Sequence, residues 1–157
     1  RSQREHLIDR SLLARAWLWL GLMEAIAGMG AFYFWYWTNG FCCRFAPLPG
    51  FEQAGILYVL ATTMTFAGIV AAQVGNVFAV RTERSSTLSV GLFSNRYVNY
   101  GVLVEILILL AIVYFPPLQS IFNTAALPGR YWLFLLPIPF LLFALEELRK
   151  RLVRKTP

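Results

Sequence analysis

Charge, histidine and cysteine are all scarce in this chain of 157 residues. Asp, Glu, Lys and Arg make up 14% of it, and there are 2 cysteines and 1 histidine. His6 lies far in sequence from the adjacent pair Cys42 and Cys43, so no metal-ligand spacing exists. Neighbouring cysteines do not easily meet ordinary disulfide geometry, and the pair reads as structural or incidental. There is no Walker loop, nucleophile elbow, metal-binding histidine pair or dinucleotide fingerprint, so these residues offer no place to bind or hydrolyse a nucleotide. Internal repeats and low-complexity linkers are missing too. No cleavable signal peptide is expected in these residues, because the first apolar run is too long for one and no small-residue cleavage pattern follows it. The chain opens "RSQREHLIDR" without a methionine, as expected of a piece cut from something longer.

What is abundant is apolar side chain: 58% hydrophobic and 16% aromatic residues, with a mean hydropathy of +0.58. A soluble domain of this size has too much surface for its core to hide that much. Four apolar segments stand out, over residues 12–37, 54–80, 97–115 and 131–145, the last continuing as helix to about residue 150. Roughly 20 helical residues cross a hydrocarbon layer of about 30 Å, and lone strands would leave unpaired amides in lipid. The expected fold is therefore an all-α membrane protein, a four-transmembrane-helix bundle occupying residues 1–157 as one domain.

All but Arg44 and Arg130 of the 14 Lys and Arg residues precede or begin the first segment, lie between the second and third, or follow the fourth. With four crossings these three groups share a side, and the positive-inside rule places both termini in the cytoplasm. The net charge of +6 is thus a topology signal and a source of attraction to anionic lipid, not a nucleic-acid footprint.

"PLPG" at 47–50 and "FPPLQ" at 115–119 punctuate the segments. Trp17, Trp19, Trp35, Tyr36, Trp37, Tyr131 and Trp132 fall where an aromatic belt is expected. Gly21, Ala25, Gly28 and Ala31 provide small residues at three- and four-residue spacing for close helix packing. Pro137 and Pro139 should kink or locally unwind the fourth helix and imply a packed neighbour there.

Ionisable and amide groups inside the segments carry the chemistry. Glu24 lies about 18 Å into the first helix, Glu105 about 12 Å into the third from its basic end, and Gln73 about 10 Å from the basic end of the second. Asn76 follows Gln73 on nearly the same face. Glu105, Gln73 and Asn76 at one depth are either oxygen ligands for a hard cation or a helix staple in which the Glu105 carboxyl bonds an amide. Glu24, with no second polar group expected in its layer, reads as structural. Thr62, Thr63 and Thr65 can bond their own helix backbone. Glu146–Lys150 and Glu147–Arg151 form favourably ordered i,i+4 pairs, an interfacial ion-pair run rather than a catalytic dyad.

Several stretches resemble the C-terminal membrane part, the seventh to tenth helices, of P-type (E1–E2) cation-transporting ATPases. They are "LIDRSLLARAWLWLGLMEAIAGMGAF", "QVGNVFAVRTERSSTLSVGLFSN", "YFPPLQSIFNTAAL" and "FALEELRKRLVR", in the family's order over almost the whole chain. By that resemblance, Gln73 falls where reticulum-type calcium pumps carry a cation-binding acid. Asn76 falls where sodium/potassium pumps carry a cation-binding Asp, and Glu105 where those pumps carry a Glu of their extra sodium site. Two amides stand where relatives have acids, which implies less site charge and a different ion preference. The phosphorylation motif "DKTGT" and the fourth to sixth helices, which hold the main ligands, are absent from these residues.

The implied role is the membrane support domain of a pump, probed by its partners: lipid, the remaining helices and cytoplasmic domains of a parent, and a cation (Ca²⁺, Na⁺, K⁺ or H⁺). No cofactor is implied for the chain itself, and ATP with Mg²⁺ is implied for the parent. The implied location is a bacterial plasma membrane, with multi-pass insertion. A stand-alone four-helix carrier or channel using Glu24 and Glu105, and a non-transporting membrane scaffold with basic ends, are the other two readings of the residues.

Overall fold

A computed structural model of the chain describes residues 15–81, 91 and 93–155. The basic residues Arg1, Arg4, Arg10 and Arg84, and most of the loop between the second and third apolar segments, lie outside the described residues. The helices are α1 (Gly21–Thr38), α2 (Phe51–Ala54), α3 (Ile56–Ala79), α4 (Arg96–Tyr114), α5 (Pro116–Phe122), α6 (Gly129–Leu135) and α7 (Pro137–Lys155). A π-helical turn, Arg15–Leu20, leads into α1. No strand occurs among the described residues. Four spans are long and apolar enough to cross a membrane: Trp17–Thr38, Ile56–Ala79, Arg96–Tyr114 and Gly129–Val153. Each lies within a few residues of the expected segment, and the chain is an all-helical, multi-pass membrane protein.

α3 is the hub, packing most extensively on α1, then on α7, and more lightly on α4. Two glycines set those distances. A Cβ on Gly68 would meet the Ala31 Cβ at 2.9 Å and the Ala27 carbonyl oxygen at 3.2 Å, so α1 and α3 approach almost backbone to backbone. A Cβ on Gly75 would lie 2.5 Å from the Pro139 carbonyl oxygen and 2.8 Å from its Cα. The proline-bearing stretch of the fourth span therefore does have a packed neighbour, and it is Gly75. The span is interrupted at Leu136, whose dihedrals remain helical (φ −55, ψ −40), so the prolines break the hydrogen-bond ladder without unwinding the chain.

The turn after α4 shows how the same problem is solved elsewhere. Pro116 and Pro117 cannot donate to the carbonyls of Ile112 and Val113, four residues earlier. The Thr124 hydroxyl donates to Ile112 at 2.7 Å, and the Gln119 side-chain amide to Val113 at 2.5 Å. The Thr63 hydroxyl, which donates to its own helix at Val59 (2.7 Å), also accepts from the Ala125 amide at 3.1 Å and ties this turn to α3. Thr62 and Thr65 bond backward along α3, to Val59 at 2.9 Å and Ala61 at 3.0 Å, as expected of intramembrane threonines.

Two expectations need correction. Trp35, Tyr36 and Tyr131 do not line a lipid-facing belt: they are buried, with Trp35 and Tyr131 rings 4.5 Å apart. The Tyr131 hydroxyl accepts from Asn39 and Arg130, both at 3.0 Å, so a polar tip on a large ring closes the bundle end from inside. Trp17, in contrast, is 78% exposed, as a belt residue should be. The acidic–basic run of α7 is likewise not a surface run. Glu146, Glu147 and Lys150 are buried, and the pairs form at i,i+3, Glu146 with Arg149 (2.8 Å) and Glu147 with Lys150 (2.9 Å). Burial decides the spacing: the Lys150 ammonium must also reach the Ala79 carbonyl at 2.6 Å, an acceptor at the C-terminal end of α3 where the helix dipole favours a cation.

Candidate functional site

Close α1–α3 packing brings polar groups from three spans to one lateral cleft of about 510 Å³. Glu24 from α1, Gln73 and Asn76 from α3, and Glu105 from α4 all line it, among Leu20, Gly21, Val77 and Val80. The three expected site residues are thus brought together. The expected bonds between Glu105 and the amides of Gln73 or Asn76 do not form, and Asn76 instead donates its Nδ2 to Glu24 Oε1 at 2.7 Å.

Contrary to expectation, a second polar group, Asn76, does share the layer of Glu24. Counting residues from the start of an apolar run could not reveal this, since the first span begins with a π-helical turn that changes rise and phase. The small residues between Gly21 and Ala31 carried the usable signal. A face that close to α3 had to carry Glu24 with it.

Donor and acceptor inventory defines what the cleft can do. Asn76 is 7% exposed, and with its amide nitrogen committed to Glu24 its Oδ1 has no hydrogen-bond partner among the described residues. A buried carbonyl oxygen without a donor is costly in an apolar setting. Glu24 and Glu105 are half-buried, and Gln73 is exposed at the mouth. The set comprises two carboxylates and two amide oxygens with no sulfur or imidazole, which suits a hard cation or a proton. No group of three or more His, Cys, Asp or Glu residues able to hold a metal occurs among the described residues.

The basal floor of the cleft is tied down from the neighbouring span. Trp19 Nε1 donates to Glu146 Oε2 at 2.9 Å, where Arg149 Nε also donates at 2.8 Å, and Lys150 reaches Ala79 one turn beyond Asn76. These bonds fix the ends of the helices carrying Glu24 and Asn76 against α7 and each other.

Comparison with known proteins gives the same frame. The family described as "Cation transporting ATPase, C-terminus" matches residues 1–152. The calcium-transporting ATPase type 2C member 1 of Homo sapiens is 38% identical over a stretch covering 59% of this chain and 10% of that protein. The calcium-transporting ATPase type 2C member 2 of Mus musculus is 31% identical over 96% of this chain and 14% of its own length. The sodium/potassium-transporting ATPase subunit alpha-4 of Homo sapiens is 25% identical over 98% of this chain and 17% of its own length. The matched stretches therefore span well under a fifth of these relatives.

Proposed function

The chain belongs to the C-terminal membrane region of the P-type cation-transporting ATPases, and from that premise we propose that it is the support domain of an ATP-driven cation pump. Its four spans, residues 1–157 acting as one domain, brace the moving transport helices of a longer parent. The cleft lends that parent a few oxygen ligands through Asn76, Glu105, Glu24 and Gln73. The reaction itself, ATP hydrolysis with Mg²⁺ on cytoplasmic domains, belongs to the parent. The basic end of the bundle faces the cytoplasm, in a bacterial plasma membrane.

The observation that carries this reading is the Asn76–Glu24 hydrogen bond at 2.7 Å, which leaves the Asn76 carbonyl oxygen without a donor beside two carboxylates. Two carboxylates opening on one cleft in lipid call for a positive charge between them, whether metal ion or proton.

The test is ion-dependent ATPase activity of the parent pump with Glu105→Gln and Asn76→Ala. Loss of one charge-assisted contact of about 1.4 kcal/mol predicts an approximately tenfold rise in the half-saturating cation concentration, with maximal rate largely kept. Unchanged cation dependence in both variants would remove the ligand role. Native size is the companion measurement: an antibody against residues 81–96 should detect a membrane band several times the 17.9 kDa of this chain. A band at that mass would exclude the support-domain reading for the mature protein.

A further inference from the structure

Cys42 and Cys43 sit between α1 and α2, at the end of the bundle opposite the Lys150 latch, and the pump reading makes no use of them. Both thiols are exposed, and their Sγ atoms approach to 3.2 Å. Sequence adjacency alone does not bring two side chains together in this way, because consecutive side chains in extended backbone point apart. Here the backbone is turned: Cys43 has φ 61, the left-handed region that few non-glycine residues occupy.

The turn is held from both sides. The Phe41 amide donates to Tyr36 at 3.0 Å and the Arg44 amide to Phe41 at 3.2 Å. Trp37 Nε1 donates to the Arg44 carbonyl at 2.9 Å. The Phe45 ring then packs edge-on against Tyr33 (5.1 Å) and Trp37 (5.2 Å). The two sulfurs are thus presented to solvent as a preorganised pair on an aromatic-clasped loop.

We propose that Cys42 and Cys43 form a reversible thiol-modification site, at which a disulfide oxidant converts the vicinal dithiol into an intraloop disulfide. The step is two-electron thiol–disulfide exchange. One loop thiolate attacks a sulfur of the oxidant R–S–S–R, forming a mixed disulfide and releasing R–S⁻. The neighbouring thiolate then attacks the loop sulfur of that mixed disulfide, forming the Cys42–Cys43 bond and releasing the second R–S⁻. Overall, two protein thiols are oxidised and one R–S–S–R is reduced to two R–SH.

Adjacency makes the product labile. Consecutive Cα atoms lie about 3.8 Å apart, below the roughly 4.4–6.8 Å usual for disulfides. Strained, exposed disulfides are the readily reduced and regulatory ones. The hydrogen bond to Cys43, and then its charge, hold the Cys42 thiol above its ordinary range. Exchange through that thiol should accordingly quicken as pH rises, since the thiolate is the nucleophile.

The experiment uses the parent protein in isolated membranes, equilibrated with mixtures of reduced and oxidised glutathione, acid-quenched and alkylated with a maleimide. In oxidised glutathione, the tryptic peptide spanning 16–44 should be lighter by two hydrogens, unalkylated, and free of glutathione. Reduced glutathione should return it to the doubly alkylated form. Phenylarsine oxide, which bridges paired thiols, should bind only the reduced form. Cys43→Ser should instead retain a glutathione adduct on Cys42 and lose arsenical binding.

Three results would overturn the proposal. One is double alkylation at every glutathione ratio, and another is independent glutathione adducts on both wild-type cysteines. The third is disulfide-linked dimers in place of the intraloop bond. These readouts do not depend on cation transport, so their failure would leave the pump reading intact.

Discussion

At the scale of single residues, Asn76 does two things with one amide: its Nδ2 satisfies Glu24, and its Oδ1 stays available to the cleft. Replacing it by leucine leaves the half-buried Glu24 carboxylate without that donor. Removing one partner of a buried bond costs more than replacing both by apolar groups. Asn76→Leu should therefore lower thermal stability of the parent in detergent, by about 1 kcal/mol on the scale of hydrogen bonds between membrane helices. Asn76→Leu combined with Glu24→Leu should recover most of that loss. A coupling energy of zero across the double-mutant cycle would show that the bond contributes nothing. Gln73, Asn76 and Glu105 were legible beforehand because depth along a regular helix is a simple count. Glu24 was not, because whether it meets Asn76 depends on how far α1 sinks into α3, which a one-dimensional depth does not contain.

Among the helices, contact is decided by small residues and by the groups that satisfy broken ladders. Gly75 is the sharpest case, since any Cβ there falls within 3.1 Å of three Pro139 backbone atoms, which cannot rotate away as a side chain could. Gly75→Ala should push α7 from α3 and destabilise the bundle by about 1–3 kcal/mol, typical of overpacking. Gly101→Ala, with nothing within 4 Å of its added Cβ, is the control expected to leave thermal unfolding unchanged or to raise it slightly. Equal effects of the two would mean that the α3–α7 approach is not limiting. Lys150→Met tests the latch at the same interface. It removes the ammonium from buried Glu147 and from the Ala79 carbonyl. Breaking a buried pair by deleting one partner costs about 3 kcal/mol or more, so the parent should become more sensitive to heat and to proteolysis near Arg81. The interruption of the fourth span before Pro137 and Pro139 could be expected from sequence because proline removes a donor wherever it stands. The i,i+3 pairing of α7 could not, because the choice over i,i+4 comes from α3 on the other side. Burial of Trp35 and Tyr131 was hidden for the same reason: an aromatic near a span end suits either a lipid belt or a closing plug.

For the whole molecule, the same charge asymmetry that marks the ends of the spans also fixes their expected orientation. Trp19 meets Glu146, and Lys150 meets Ala79, at one end, while Tyr36 meets Pro49, and Trp35 meets Tyr131, at the other. Arg81, Arg96, Arg149, Lys150 and Arg151 accompany the first end, and Arg44 and Arg130 the second. The translocation bias of Lys and Arg in short loops is large enough to set orientation, so the first end should be cytoplasmic. Cys42 and Cys43, the chain's 2 cysteines, make this directly measurable. In intact cells treated with a membrane-impermeant reductant, a membrane-impermeant maleimide should label the loop pair of a parent otherwise free of cysteine. With both replaced by serine and Ser94→Cys introduced in the loop before α4, labelling should require permeabilised cells. The reverse pattern would invert the bundle and place the basic ends outside. It would also place the Lys150 latch at the outer end, and the cytoplasmic placement of the basic end would have to be abandoned.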